Sequence, residues 1–411
     1  MVHSNDLNRS VFRSLGIPLI LCCLGVGIIL LLERMSQNDN NWFGQPKMDF
    51  RDIPSELITY QQASMFACPV EGEPTCFALV GDSTFVIGSA HPHTLSFFDD
   101  RGTLLRKIDL PDEPRAIACG TADTVLTDKI VVAHPQQIVV YNAEGGYEFL
   151  LCELSSKDIS GVVSSNGSIF EMIDDSGFRF PRSGFHFFDT GSKDKDIRSL
   201  VLTTDSLFAA DTGNLCIYRF ASDNIEVKTF GQGLGASLSW TEEEGIFPGF
   251  VVYASPITMT FSPSNGLLYI TNPGKHRIEV FTQNGMYKPE LSWGKPSGNL
   301  SGFVGCCNPI GVAVLNDGRI LTVEKSISRI KVFKPSGELD CVVAGPSVLD
   351  QMPPERKRTL KPDRYFAATI LSEGRIAVFD FDGQRIRIFA PQFTKKDCVF
   401  QYTFAGFDLQ P

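Results

Sequence analysis

The chain has 411 residues, 43% of them hydrophobic, with 32 Phe, 36 Gly and 24 Pro. That much apolar surface with frequent turn punctuation excludes a disordered or low-complexity chain. A formal net charge of −10 excludes nucleic acid as a partner, because phosphate binding rests on clustered Lys and Arg. The one basic cluster, Arg356-Lys357-Arg358 with Lys361 and Arg364, reads as a solvated loop.

After a polar tail (residues 1–14), residues 15–32 carry no charge and are flanked by Arg13 and by Glu33-Arg34. Eighteen residues at about 1.5 Å rise each just span a bilayer core, so a transmembrane helix is expected. A cleaved signal peptide would have an apolar core of about 7 to 15 residues followed by small residues. Leu32-Glu33-Arg34-Met35 offers no such site, and Cys22 follows Leu19-Ile20-Leu21 rather than a small residue. Basic residues on the two sides nearly balance. The short N-terminal tail favours an N-inside anchor with the rest of the chain in the periplasm or outside the cell. Residues 33–62 form a tether and lead-in.

Residues 63–405 hold a repeat. Six times a short strand ends on a polar residue, and in five cases an aromatic closes the next strand nine positions later: Ser89 with Phe98, Asp211 with Phe220, Asn272 with Phe281, Glu324 with Phe333 and Asp380 with Phe389. His134 with Tyr141 fits with a hairpin shorter by two. Four residues past the aromatic stand Gly102, Gly145, Gly285 and Gly337, where a tight turn wants φ above zero. Blade three has Asn224 there, and blade six departs with Phe393. This register predicts an all-β chain, a β-propeller of six blades. Residues 159–164, 168–173 and 185–188, inside a long interblade stretch, read as an inserted hairpin or as a degenerate seventh blade.

Ala210-Asp211-Thr212-Gly213-Asn214 and the run from Asn272-Pro273-Gly274 to Arg277-Ile278-Glu279-Val280-Phe281 resemble the NHL repeat over roughly residues 75 to 395. With Cys306-Cys307-Asn308-Pro309 ahead of one inner strand, the chain is similar to membrane-anchored bacterial NHL proteins. Blades one and two lack the Asp and Asn of the motif. The resemblance implies a fold and a location more than an activity. NHL-type propellers include a zinc-dependent lyase with three inward histidines, and related hydrolases place Glu, Asn and Asp on a calcium. No matching set of three histidines can be placed among His91, His93, His134 and His276. His91 and His134, each before a proline, allow at most a two-histidine site.

The interblade stretches at 153–195, 234–253, 295–307 and 345–363 should share one rim with the polar strand ends, and this rim is the default ligand face. Asp211, Asn272, Glu324, Asp380 and His134 are its candidate ligand-binding residues. Three of them have an Arg five positions on, facing across the hairpin, where opposite charges stabilise a strand pair by about 0.2 to 1 kcal/mol. Asp211 has Cys216 there, so its carboxylate is the least obviously paired, and Asp211→Asn should be nearly neutral if the ring is structural. Adjacent Cys306 and Cys307 suit a vicinal disulfide or redox relay. Cys68 and Cys76 could staple the lead-in of the first blade in an oxidising compartment.

The sequence thus predicts a membrane-anchored propeller that binds a partner protein or small ligand on its loop-rich face, rather than an enzyme. No cofactor is expected. The alternatives are a metal-dependent hydrolase or lyase on Glu324, Asn272, Asp211 and Asp380, with calcium or another divalent ion, and a redox accessory protein using Cys306 and Cys307.

Overall fold

The computed structural model describes residues 52–153, 170–173, 179–181, 196–221, 228–230, 247, 249–253, 255–305, 307–325, 327–356 and 366–392. The transmembrane prediction for residues 15–32 lies outside them, and no helix among the described residues is long and apolar enough to cross a membrane.

The described chain is a six-bladed β-propeller. Blade one is Glu73–Val80, Thr84–Ala90, Thr94–Phe98 and Leu104–Asp109, an antiparallel meander, and blade five is Gly311–Val314, Ile320–Glu324, Arg329–Phe333 and Leu339–Ala344. Blades two (from Ala116–Cys119) and three (from Ile197–Leu202) repeat the order. Blade four has three strands, and its outer edge is irregular. Trp293 and Ile278 exchange backbone hydrogen bonds at 2.8 and 3.0 Å, but a 3-10 turn at Pro289–Leu291 breaks the strand, since proline has no N–H to give. Ser292 Oγ takes the place of a backbone carbonyl by accepting from Val280 N at 2.9 Å. The innermost strands of the six blades touch in cyclic order, one to six and back to one. Among the described residues, 170–173 and 179–181 pair with each other as a two-stranded hairpin and join no blade. The companion predictions at 159–164 and 185–188 lie outside the described residues.

Ring closure was not anticipated in the sequence reading. Tyr60–Ala67 pairs antiparallel with Arg385–Pro391 and supplies the outermost strand of blade six. The propeller therefore begins at Tyr60, and its first and last described strands are joined by a hydrogen-bonded ladder.

Every buried apolar cluster lies at a seam between neighbouring blades. Phe85, Ile87 and Phe98 pack on Phe379 and Ile388 of blade six, while Val86, Leu95 and Phe97 of the same strands pack on Ile117, Ile130 and Tyr141 of blade two. Middle strands are covered on both faces, so they read as continuous apolar runs rather than alternating ones. The strand-closing aromatics all turn to the preceding blade: Phe98 toward blade six, Tyr141 toward one, Phe220 toward two, Phe281 toward three, Phe333 toward four, Phe389 toward five. The glycines four residues later have φ of 83°, 94°, 82° and 82°. At Gly337 an added Cβ would sit 2.6 Å from the Trp293 ring of blade four, so the turn needs glycine for packing as well as for φ.

The same two-sided geometry removes the proposed Cys68–Cys76 staple. Cys68 is buried in the seam between blades six and one, Cys76 in the seam between one and two, and both are free thiols. Burial pushes each thiol up to about 12. An unfolded-chain thiol ionises near 9, so the folded state holds a proton that the unfolded state loses above that value. Stability is then fully present below pH 9 and falls as pH rises toward 12, by about 1.4 kcal/mol per pH unit for each thiol. Urea midpoints at pH 8 and 10 should differ accordingly, and Cys68→Ala/Cys76→Ala should flatten that difference; an unchanged slope would assign the alkaline loss to other groups.

Candidate functional site

In an antiparallel hairpin, residues that share a face with the strand-ending polar residue include those five, seven and nine positions on. That face looks to the preceding blade, with the aromatic toward the outside and the polar residues at the rim. Into that end of each seam runs the connection from the previous blade, and its unpaired N–H and C=O groups must find partners there.

Strand-ending residues supply them directly in four blades, at His134, Asp211, Asn272 and Glu324, and through two arginines at Asp380, whereas Ser89 bonds to Thr94 of its own blade. Ser89, His134, Asp211, Asn272, Glu324 and Asp380 are all completely buried. Asn272 Oδ1 accepts from Val251 N at 2.9 Å and its Nδ2 donates to Gly249 O at 3.2 Å. His134 Nδ1 lies 3.1 Å from Asp112 O and 3.3 Å from Glu113 O, while its Nε2 meets Tyr141 Oη at 3.1 Å. Burial lowers the imidazole's pKa, against the raising effect of the two carbonyls, so it sits as a neutral ring. Glu324 Oε2 accepts from Arg329 Nη2 at 2.6 Å and from Val304 N at 3.4 Å. Asp380 accepts from Gly383 N at 3.0 Å and lies 3.4 Å from both Arg385 and Arg387, and both arginines donate to Gln351 O.

Asp211 is the opposite of what its missing arginine suggested. Oδ1 accepts from the backbone N–H of Asp196, Gly213 and Asn214 at 2.9, 3.0 and 3.1 Å, and Oδ2 from Asn214 Nδ2 at 2.7 Å and Tyr218 Oη at 3.0 Å. Five neutral donors replace the cation.

The expected pairs five positions apart form at Glu324 with Arg329 and at Asp380 with Arg385, and in blades three to six a further partner stands seven positions on: Tyr218, Glu279, Lys331 and Arg387. Glu279 accepts from Asn272 Nδ2 and from Tyr287 Oη, both at 3.0 Å. The predicted Asn272–Arg277 pair is replaced by Arg277 with Glu279, at 3.6 Å. Burial raises the Glu279 carboxyl, and Arg277 opposes the shift. Lys331 Nζ meets Glu324 Oε1 at 2.6 Å and donates to Leu300 O and Gly302 O at 2.9 and 2.6 Å. Sequence reading followed the arginines because they recur. The seventh position varies among Tyr, Glu, Lys and Arg, and only its shared face marks it.

Cys307 and Asn308 lie against the same rim. Cys306 is outside the described residues. Cys307 is buried with φ 75°, and its carbonyl accepts from Ser255 Oγ at 3.0 Å. Asn308 is buried and ties the segment to blade five, accepting from Lys325 N at 2.9 Å and donating to Lys325 O at 3.0 Å and Val304 O at 2.6 Å. His91 is exposed and its ring faces His93 at 5.3 Å, rather than His134. Arg356, in the basic cluster, donates to Gln384 Oε1 at 2.8 Å and Asp382 O at 3.3 Å; residues 357–364 lie outside the described residues. Among the described residues no three His, Cys, Asp or Glu side chains are grouped to hold a metal.

Known proteins resemble the chain in shape rather than in sequence. No protein-family pattern matches it, and no curated protein matches it in sequence. A protein of unknown function from Bacteroides thetaiotaomicron is 15% identical, with TM-score 0.46, covering 80% of this chain and 75% of its own. Virginiamycin B lyase from Staphylococcus aureus is 11% identical, with TM-score 0.44, covering 80% and 99%. The Cps50 (Swd1) β-propeller domain of Myceliophteria thermophila is 12% identical, with TM-score 0.45, covering 79% and 99%. These neighbours are β-propellers. They share the fold, and their activities are their own.

Proposed function

We propose that this chain is an NHL-like propeller, anchored in the membrane through residues 15–32 and facing the outside of the cytoplasm, whose loop-rich rim binds a partner protein or small ligand. One observation carries the reading. In five of the six blades the buried polar strand ends hold the interblade connection, directly or through an arginine, so the rim is a braced platform rather than a set of exposed acids and bases. Loops on a rigid scaffold are the usual seat of recognition. Tyr253, 65% exposed on the connection that Asn272 holds, is a ready contact residue on that platform.

The test uses the full chain in its native membrane. A photo-reactive residue at Tyr253 should give a discrete cross-linked product, whereas the same residue at exposed Met286, in the turn after the third strand of blade four, should not. The protein should also resist a carbonate wash. Equal labelling at both positions, or release by carbonate, would remove the reading. Stoichiometric zinc or calcium in the purified chain would move it to a propeller enzyme.

A further inference from the structure

The seam between blades four and five holds more cationic charge than it balances. Thr322, Glu324, Arg329 and Lys331 share one face of the central hairpin of blade five, Thr322 opposite Lys331 and Glu324 opposite Arg329. All four are completely buried. Among the described residues of this face, two cations therefore meet one carboxylate. Water cannot supply the missing negative charge, and isolated charge is costly in such a place.

The hydrogen-bond inventory agrees. Of the Arg329 guanidinium only Nη2 is engaged, by Glu324, and Nε and Nη1 have no hydrogen-bond partner. Thr322 Oγ1 on the same face also has none, nor do His276 Nδ1 and Trp293 Nε1 of blade four. His276 feels the Glu324 charge, and Trp293 stacks against Phe303 and Phe333, over which Lys331 lies. Two arginines also face one carboxylate at Asp380, where Arg385 Nε has no partner, but both of those arginines donate to Gln351 O; among the described residues Arg329 alone leaves two guanidinium nitrogens without one. Native proteins rarely leave buried donors without partners, and such donors call for an explanation.

We infer that this seam binds a small monovalent inorganic anion of chloride size, held by the free N–H groups of Arg329 and the Thr322 hydroxyl, while Lys331, whose three donors are taken by Glu324, Leu300 O and Gly302 O, adds positive charge alone. The aromatic ring contacts around Lys331 exclude a larger organic acid. The role is to complete the charge balance beneath the 295–307 connection, and so to couple the order of that part of the rim to anion concentration.

The experiment uses full-length protein purified in detergent, dialysed into gluconate and titrated with chloride at constant ionic strength. The thermal midpoint should rise saturably. Arg329→Gln should weaken the apparent affinity by about tenfold or more, the effect of losing a charge-assisted hydrogen bond. Glu324→Gln, which removes the competing carboxylate, should tighten it. Because either variant may fail to fold, crystals of the unaltered protein grown in bromide provide a second arm, with an anomalous peak expected within hydrogen-bond distance of Arg329. A linear salt response shared by wild type and both variants would overturn the inference. So would ordered water without an anomalous signal at Arg329, or bromide at surface sites alone.

Discussion

Asp211→Asn should destabilise the propeller by about 2 to 3 kcal/mol, the penalty for leaving buried donors unsatisfied. The reason is the number of donors converging on one small group. The carboxylate takes three backbone N–H groups on Oδ1 and the Asn214 amide and Tyr218 hydroxyl on Oδ2. An asparagine keeps one acceptor oxygen, and its NH2 would confront donors on the other side. In a domain of this size each kcal/mol moves the thermal midpoint by roughly 2 to 4 °C, so the drop is easily measured by circular dichroism. Ser89→Ala is the control. It removes one neutral hydrogen bond, to Thr94 at 2.7 Å, and should lose only about 1 kcal/mol. A midpoint for Asp211→Asn equal to wild type would show that the five contacts are not formed together in solution. A wild-type midpoint that falls on adding a chelator, with the variant insensitive, would instead assign Asp211 to a metal.

Removing residues 1–69 should abolish the fold rather than weaken it. The strand Tyr60–Ala67 contributes seven paired positions to the edge of blade six, with further backbone bonds from Cys68 N to Gln384 O at 2.8 Å and from Gln392 N to Thr59 O at 2.7 Å. Buried Tyr60 packs with Phe366 and Phe389, and Phe66 packs on Phe85. Without the strand, Arg385–Pro391 becomes an open apolar edge, which invites association with other chains. The ring also loses the one ladder that joins its two ends. The combined loss exceeds the whole stability of about 5 to 15 kcal/mol typical of a domain. Size exclusion should show aggregate, and a chain beginning at Ile53 should run as a monodisperse species. A monodisperse truncated chain with an unchanged midpoint would show that the ring closes by packing alone.

Much of the site was legible, though its meaning was not. Each strand-ending polar residue was found because it recurs at a fixed distance from an aromatic, and the structure puts the two on one face of one hairpin. What those residues touch depends on a connection arriving from the previous blade, 15 to 21 positions earlier in sequence for Asp211, Asn272 and Glu324. No local pattern encodes that contact. Asp211 is the sharpest case: the absence of an arginine five positions on pointed to an unpaired acid, and backbone N–H groups, which every residue carries, satisfy it instead. Asn272 and Arg277 face each other in register, yet the arginine pairs with Glu279 at 3.6 Å, because Asn272 carries no charge to attract it.

By itself the sequence determined the propeller, its blade register and the glycines of its outer turns, because strand alternation and φ preference are properties of a few consecutive residues. Only the tertiary structure decided that the ring closes on Tyr60–Ala67, that Cys68 and Cys76 face different seams, and that the polar strand ends brace the rim. Each of these depends on which face of a strand meets which neighbouring blade. In a propeller both faces of a middle strand are buried, so apolar patterning does not reveal that choice, and it is made by the closing of the ring.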